Sequence, residues 1–127
     1  MKKILIVDDE KEMVNTIRRG LSSVKDLMIE AAYDGKSAVE KFAEFKPDLI
    51  LLDMRMPGLD GYEVCATIRK DPGGKEVKII MISGAMDMDA VERVAEAGAN
   101  DFLAKPFRSE FLKLKVERIL GMTSGGS

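Results

Sequence analysis

Short unbroken apolar runs alternate along this chain with apolar residues spaced three and four apart. The runs are Lys3 to Val7, Leu27 to Ala32, Leu49-Ile50-Leu51-Leu52 closing on Asp53, Val77 to Ile82, and Phe102-Leu103-Ala104. Runs without polar alternation suit strands buried on both faces, as in a parallel sheet. Between them, helical spacing joins Met13, Val14, Ile17, Leu21 and Val24, with Arg18 and Arg19 outside. Ala38, Val39, Phe42 and Phe45 form a second stripe, stopped before Pro47. Tyr62, Val64, Cys65 and Ile68 form a third, broken by Asp71-Pro72-Gly73-Gly74. Met88, Val91, Val94 and Ala95 form a fourth, with Gly98 placed as its C-cap. The last carries Phe111, Leu112, Leu114, Val116, Ile119 and Leu120, with Ser109 as the expected N-cap and Gly121 as the stop. Strand and helix thus alternate five times. That order predicts an α/β fold with a parallel sheet covered on both faces and right-handed crossovers. One domain is expected over residues 1–121, with 122–127 as a flexible tail or linker stub.

Composition narrows the chemistry. With 33% charged and 46% hydrophobic residues over 127 positions, the chain reads as one ordinary soluble globular domain. A net charge of −2 gives no basic surplus, so direct nucleic-acid binding is not expected. The single cysteine, Cys65, fits a reducing compartment and reads as a semi-buried helix residue without chemistry. The apolar run after Lys2-Lys3 ends at Asp8-Asp9, too short for a signal peptide or a membrane span. A cytoplasmic location with no membrane partner is expected. The sequence contains no histidine, which excludes a histidine metal ligand, a histidine general base and a phosphohistidine carrier.

The residues at the C-terminal ends of the strands are Asp8, Asp9, Asp53, Ser83 and Lys105. Parallel strands bring these ends to one edge, where open α/β sheets bind ligands. Clustered carboxylates repel one another and stay ionised when a cation stands among them. An all-oxygen acidic nest favours Mg²⁺, or Mn²⁺ in its place. Lys105 adds a positive charge, the Ser83 hydroxyl can bond a phosphoryl oxygen, and Asp53 is then the available nucleophile. Taken singly, each has a plainer role: a helix cap for Asp8-Asp9, a turn start for Asp53, a turn hydroxyl for Ser83, a solvated cation for Lys105. Nine methionines are many for this length. Met54, Met56, Met81, Met86 and Met88 lie near the same edge; core packing accounts for some, and an adaptable partner surface for Met86 and Met88.

Four stretches, in order, resemble the receiver domain of two-component response regulators: Ile6 to Glu10, Leu51 to Gly61, Ser83-Gly84-Ala85, and Asp101 to Phe107. The resemblance implies a flavodoxin-like doubly wound (βα)5 fold with strand order 2-1-3-4-5. It implies Asp53 as phosphoacceptor, with Asp9, Asp53 and the backbone carbonyl of Arg55 as direct Mg²⁺ ligands and Asp8 acting mainly through water. Lys105 resembles the phosphate-contacting lysine, and Lys105-Pro106 the bond that is cis in the family. Ser83 and Phe102 resemble the switch pair. Phe102 replaces the tyrosine of many members, so no hydroxyl holds it outward, and an inward ring is expected without phosphate. The implied role is a phosphoacceptor switch, not an enzyme in its own right, promoting its own phosphorylation and slow dephosphorylation. A histidine kinase or histidine phosphotransfer protein is the implied donor, and dimerisation through helix 4, strand 5 and helix 5 the implied response. Two other readings share the acidic edge. A haloacid-dehalogenase-type phosphatase needs a second acid where Arg55 stands, and its nucleophile follows the first strand. A receiver-like binding module that never takes phosphate would not need the complete acceptor set present here.

Overall fold

The computed structural model describes residues 1–56, 58–84 and 88–122, with backbone alone for 88–91. Its elements are β1 (Lys2–Val7), α1 (Lys11–Gly20), β2 (Leu27–Ala32), α2 (Gly35–Phe45), β3 (Leu49–Asp53), α3 (Gly61–Lys70), a 3-10 turn (Pro72–Gly74), β4 (Lys78–Ser83), α4 (Met88–Ala97), β5 (Asp101–Ala104) and α5 (Ser109–Ile119). The five strands are parallel, in the order β2-β1-β3-β4-β5.

The unbroken apolar strands divide their side chains between two helical layers. Leu5, Val7, Ile50, Leu52, Ile79 and Met81 pack toward α2, α3 and α4, against Phe42, Val64, Ile68 and Val94. Ile4, Ile6, Leu49, Leu51, Ile80 and Ile82 pack toward α1 and α5, against Val14, Ile17, Leu112 and Val116. Each such aliphatic side chain taken out of water contributes about 1.5–3 kcal/mol, so the central strands anchor both layers.

Several element ends differ from the sequence expectation. Helix α1 ends at Gly20, although the apolar spacing continues to Val24. Leu21 and Val24 belong to the following turn, where the Val24 N–H bonds the Leu21 carbonyl and both side chains still reach the core. Ser109 is the first residue of α5 and not its N-cap. Arg108 holds the cap position, since the N–H groups of Phe111 and Leu112 both bond its carbonyl. Gly98 and Gly121 follow α4 and α5 at φ +96° and +70°, the left-handed region that favours glycine at a helix end. Among the described residues, no helix is long and apolar enough to cross a membrane. The Pro57 turn, Ala85, Met86, the side chains of Met88 and Val91, and the expected tail from Thr123 lie outside the described residues.

Candidate functional site

Strand register places the site. Val7 pairs with Leu52, so the next residues, Asp8 and Asp53, leave β1 and β3 at the same height. Asp53 pairs with Ile82, and Ser83 with Ala104, so Ser83 and Lys105 each emerge one step further along. The ladder continues past the strand ends. Asp8 N–H bonds the Ala32 carbonyl at 3.1 Å, Met54 N–H the Ile82 carbonyl at 2.9 Å, and Lys105 N–H the Ser83 carbonyl at 2.7 Å. Asp8, Asp53 and Ser83 are therefore set by sheet geometry, and all three are buried, at 2%, 6% and 1% exposure.

One ammonium links the acids. Lys105 Nζ lies 3.3 Å from Asp8 Oδ2 and 3.6 Å from Asp53 Oδ1. Each carboxylate is also oriented by a backbone donor two residues on: Glu10 N–H to Asp8 Oδ1 at 2.9 Å, and Arg55 N–H to Asp53 Oδ1 at 3.3 Å. The N-cap of α1 is Glu10, whose side chain makes no capping bond. The Lys105-Pro106 peptide bond is cis.

The Asp53 carboxyl is pushed up to about 6. Burial is the largest cause, followed by the negative charge of Asp8, with Asp9 adding to it. Lys105 and the Arg55 N–H pull the other way without cancelling the rise. A buried carboxylate crowded by acids is a basic, nucleophilic oxygen held in a fixed orientation. A divalent cation among these groups would remove the repulsion and favour the ionised form. The donor set fits a hard cation, because carboxylate oxygens of Asp8, Asp9 and Glu10 all lie within 4.8 Å of one another. Glu10 is the member that strand-end reasoning passed over. It belongs to α1's cap and to no strand end, although its place in an unbroken Asp-Asp-Glu run was readable.

A second overlooked residue is Gly61. Its N–H bonds the Met54 carbonyl at 3.1 Å, and a Cβ there would stand 2.3 Å from the Asp53 carbonyl oxygen. Only glycine lets α3 begin directly behind β3. Asp60 caps that helix by accepting the Glu63 N–H at 3.0 Å.

Phe102 is half-buried on β5. It packs against the α2–α4 core and also lines a groove with Phe107, Phe111 and Lys115. Met54, Met56 and Met81 are core residues. Cys65 is fully buried, not half-buried as its sequence position suggested, because α3 turns it toward α4. Its thiol donates to the Ala97 carbonyl at 3.2 Å, and burial pushes its pKa up.

Comparison with known proteins points to one family. The family model for the response regulator receiver domain matches residues 4–117. The response regulator MprA of Mycobacterium ulcerans is 38% identical over 123 residues, covering 95% of this chain and 51% of that protein. The signal receiver domain of a DNA-binding response regulator (merR) from Colwellia psychrerythraea 34H superposes with a TM-score of 0.89 at 28% identity, covering 96% of this chain and all of that one. The Mn²⁺-bound form of response regulator Rcp1 superposes at 0.85 with 25% identity, covering 98% of both chains. The chain spans about half the length of the curated relatives it matches.

Proposed function

The chain belongs to the response regulator receiver domain family of two-component systems, and from that premise we propose that it is a switch that accepts a phosphoryl group on Asp53. The observation that carries this is the Lys105 ammonium, set between the buried carboxylates of Asp8 and Asp53 at the C-terminal edge of the sheet. In the proposed step, an Asp53 oxygen attacks the phosphorus of a phosphohistidine on a histidine kinase or phosphotransfer protein. The P–O bond forms as the P–N bond breaks, and the released imidazole keeps the electron pair and takes up a proton. Lys105 neutralises charge on the transferring group, and the Ser83 hydroxyl bonds one of its oxygens. Asp9, Asp53 and the Arg55 carbonyl would hold Mg²⁺ directly, with Asp8 mainly through water and Glu10 as an added acid. The ion supplies charge neutralisation. Water attack on the acyl phosphate then returns the carboxylate slowly.

Residues 1–121 form the receiver unit in this reading, acting in the cytoplasm. Ser83 and Phe102 carry the response to α4, β5 and α5, the face proposed for dimerisation. The domain itself does not touch nucleic acid; any output lies with whatever it is joined to or meets.

Acetyl phosphate with Mg²⁺ should label the protein at one site that is acid-stable, and labile to base and hydroxylamine. Asp53→Asn should abolish the label. Labelling of the substituted protein at the parental level would show that Asp53 is not the acceptor.

A further inference from the structure

Helix α4 is tied to the surroundings of Asp53 in two places. One tie is covalent, through residues 84–87 after Ser83. The other is a stack between side chains. Arg93, exposed on α4, sets its guanidinium carbon 4.0 Å from the centroid of the Tyr62 ring on α3. Tyr62 directly follows Gly61, which touches the Asp53 backbone too closely to admit a Cβ. The Tyr62 hydroxyl also points at Met54 Sδ, 4.0 Å away. Met54 is buried, and its N–H is held by the Ile82 carbonyl at 2.9 Å. From Arg93 the path to Asp53 is therefore one ring, one thioether and one peptide bond.

A cation is attracted to an aromatic face within about 6 Å of the ring centroid, so the stack depends on where α4 lies. Ser83 ends β4 and residues 84–87 lead from it to α4, so a displacement of Ser83 toward a phosphoryl group bears on where α4 lies.

We propose that Arg93 and Tyr62 are positioning residues: their stack latches α4 to the β3–α3 corner in the unphosphorylated form and must release when Asp53 is phosphorylated. This rests on the phosphoacceptor reading above. A contact that favours one form disfavours binding to the other by the same factor. Losing the latch therefore favours the phosphorylated form.

The test titrates beryllofluoride, in excess Mg²⁺, into the parent, Arg93→Ala, Arg93→Lys, Tyr62→Leu and the double variant Tyr62→Leu/Arg93→Ala. Amide exchange along α4 is followed in parallel without the mimic. Arg93→Ala and Tyr62→Leu should each bind the mimic about three- to fivefold more tightly, the range expected for losing one exposed cation–π contact. The double variant should gain no more than either single one, and Arg93→Lys, which keeps a cation, should stay close to the parent. Exchange in α4 should quicken by a similar factor in Arg93→Ala, with β1 and α5 unchanged. A purely structural role would leave mimic affinity where it was. Unchanged affinity in Arg93→Ala, or additive gains in the double variant, overturns the latch. Unchanged α4 exchange overturns it whatever the parent binds. A parent that takes up no beryllofluoride, while α4 exchange still quickens in Arg93→Ala, overturns the phosphoacceptor reading and the latch's release with it, and leaves only the stack's hold on α4.

Discussion

Asp53 carries opposing demands within one side chain. It must be buried to be held by β3, yet burial beside Asp8 and Asp9 raises its carboxyl to about 6. An ordinary aspartate in an unfolded chain titrates near 3.8. Between those values the folded protein holds a proton that the unfolded chain has released, so Asp53's contribution to stability falls as pH rises through that window. At pH 7, without divalent cation, the ionised group opposes folding. Asp53→Asn should therefore raise stability by about 1–2 kcal/mol at pH 7 in chelator, once the shift is discounted for solvent screening. The gain should shrink as pH falls from 6 toward 4, because the folded carboxyl becomes neutral and the unfolded one begins to take up its proton as well. Urea melts of both proteins across that range check it; a gain that persists undiminished at pH 4 would point to packing. Asp8, Asp53, Ser83 and Lys105 were legible as chemistry because each ends an apolar run, and parallel strands bring such ends together. Gly61's contact was not, because its meaning lies in an approach to Asp53's carbonyl too close for any Cβ, which no local spacing encodes.

At the scale of elements, strands were more legible than the ends of helices. A buried parallel strand writes itself as an unbroken apolar run, whereas the α1 spacing ran on into a turn that buries the same face. Least legible was how elements are tied together at the pole opposite the site. Arg69, near the end of α3, donates Nε to the Gly98 carbonyl at 2.9 Å. One terminal nitrogen reaches the carbonyls of Gly74 and Val77 at 2.8 and 2.6 Å, and the other Asn100 Oδ1 at 2.9 Å. Asn100 Oδ1 in turn accepts the Ile79 N–H at 2.8 Å. One guanidinium thus joins α3, the 3-10 turn, the approach to β4 and the end of α4. In the sequence it is simply one basic residue in the last turn of a helix. Arg69→Ala leaves several carbonyls without a donor and should destabilise the fold by about 2–4 kcal/mol. Arg69→Lys should recover little of that, because an ammonium lacks the planar fork. Because the clamp sits far from Asp53, acetyl phosphate labelling below the melting transition should match the parent. A labelling rate that falls along with stability would mean the two poles are coupled.

Across the whole molecule, the parallel sheet separates its tasks by direction. All strands point one way, so acids, hydroxyl and lysine collect at the C-terminal edge, and the Arg69 clamp closes the other. Mutual repulsion among the acids is then a global property, since relieving it strengthens the entire cooperative unit. Mg²⁺ should therefore raise the melting temperature. Binding to the folded state alone adds about 1.4 kcal/mol at ten times Kd, which corresponds to a few degrees for a domain of this size. Substituting Asp9 tests metal binding apart from packing, because its side chain is exposed while Asp8 and Asp53 are buried in the sheet edge. Asp9→Ala should leave the melting temperature in chelator nearly unchanged, remove most of the rise with Mg²⁺, and slow acetyl phosphate labelling in the same proportion. Calorimetry of both proteins with and without Mg²⁺, beside labelling rates, tests this. An Asp9→Ala protein that keeps the full Mg²⁺ rise would assign the ion to other acids, with Glu10 the first to substitute next.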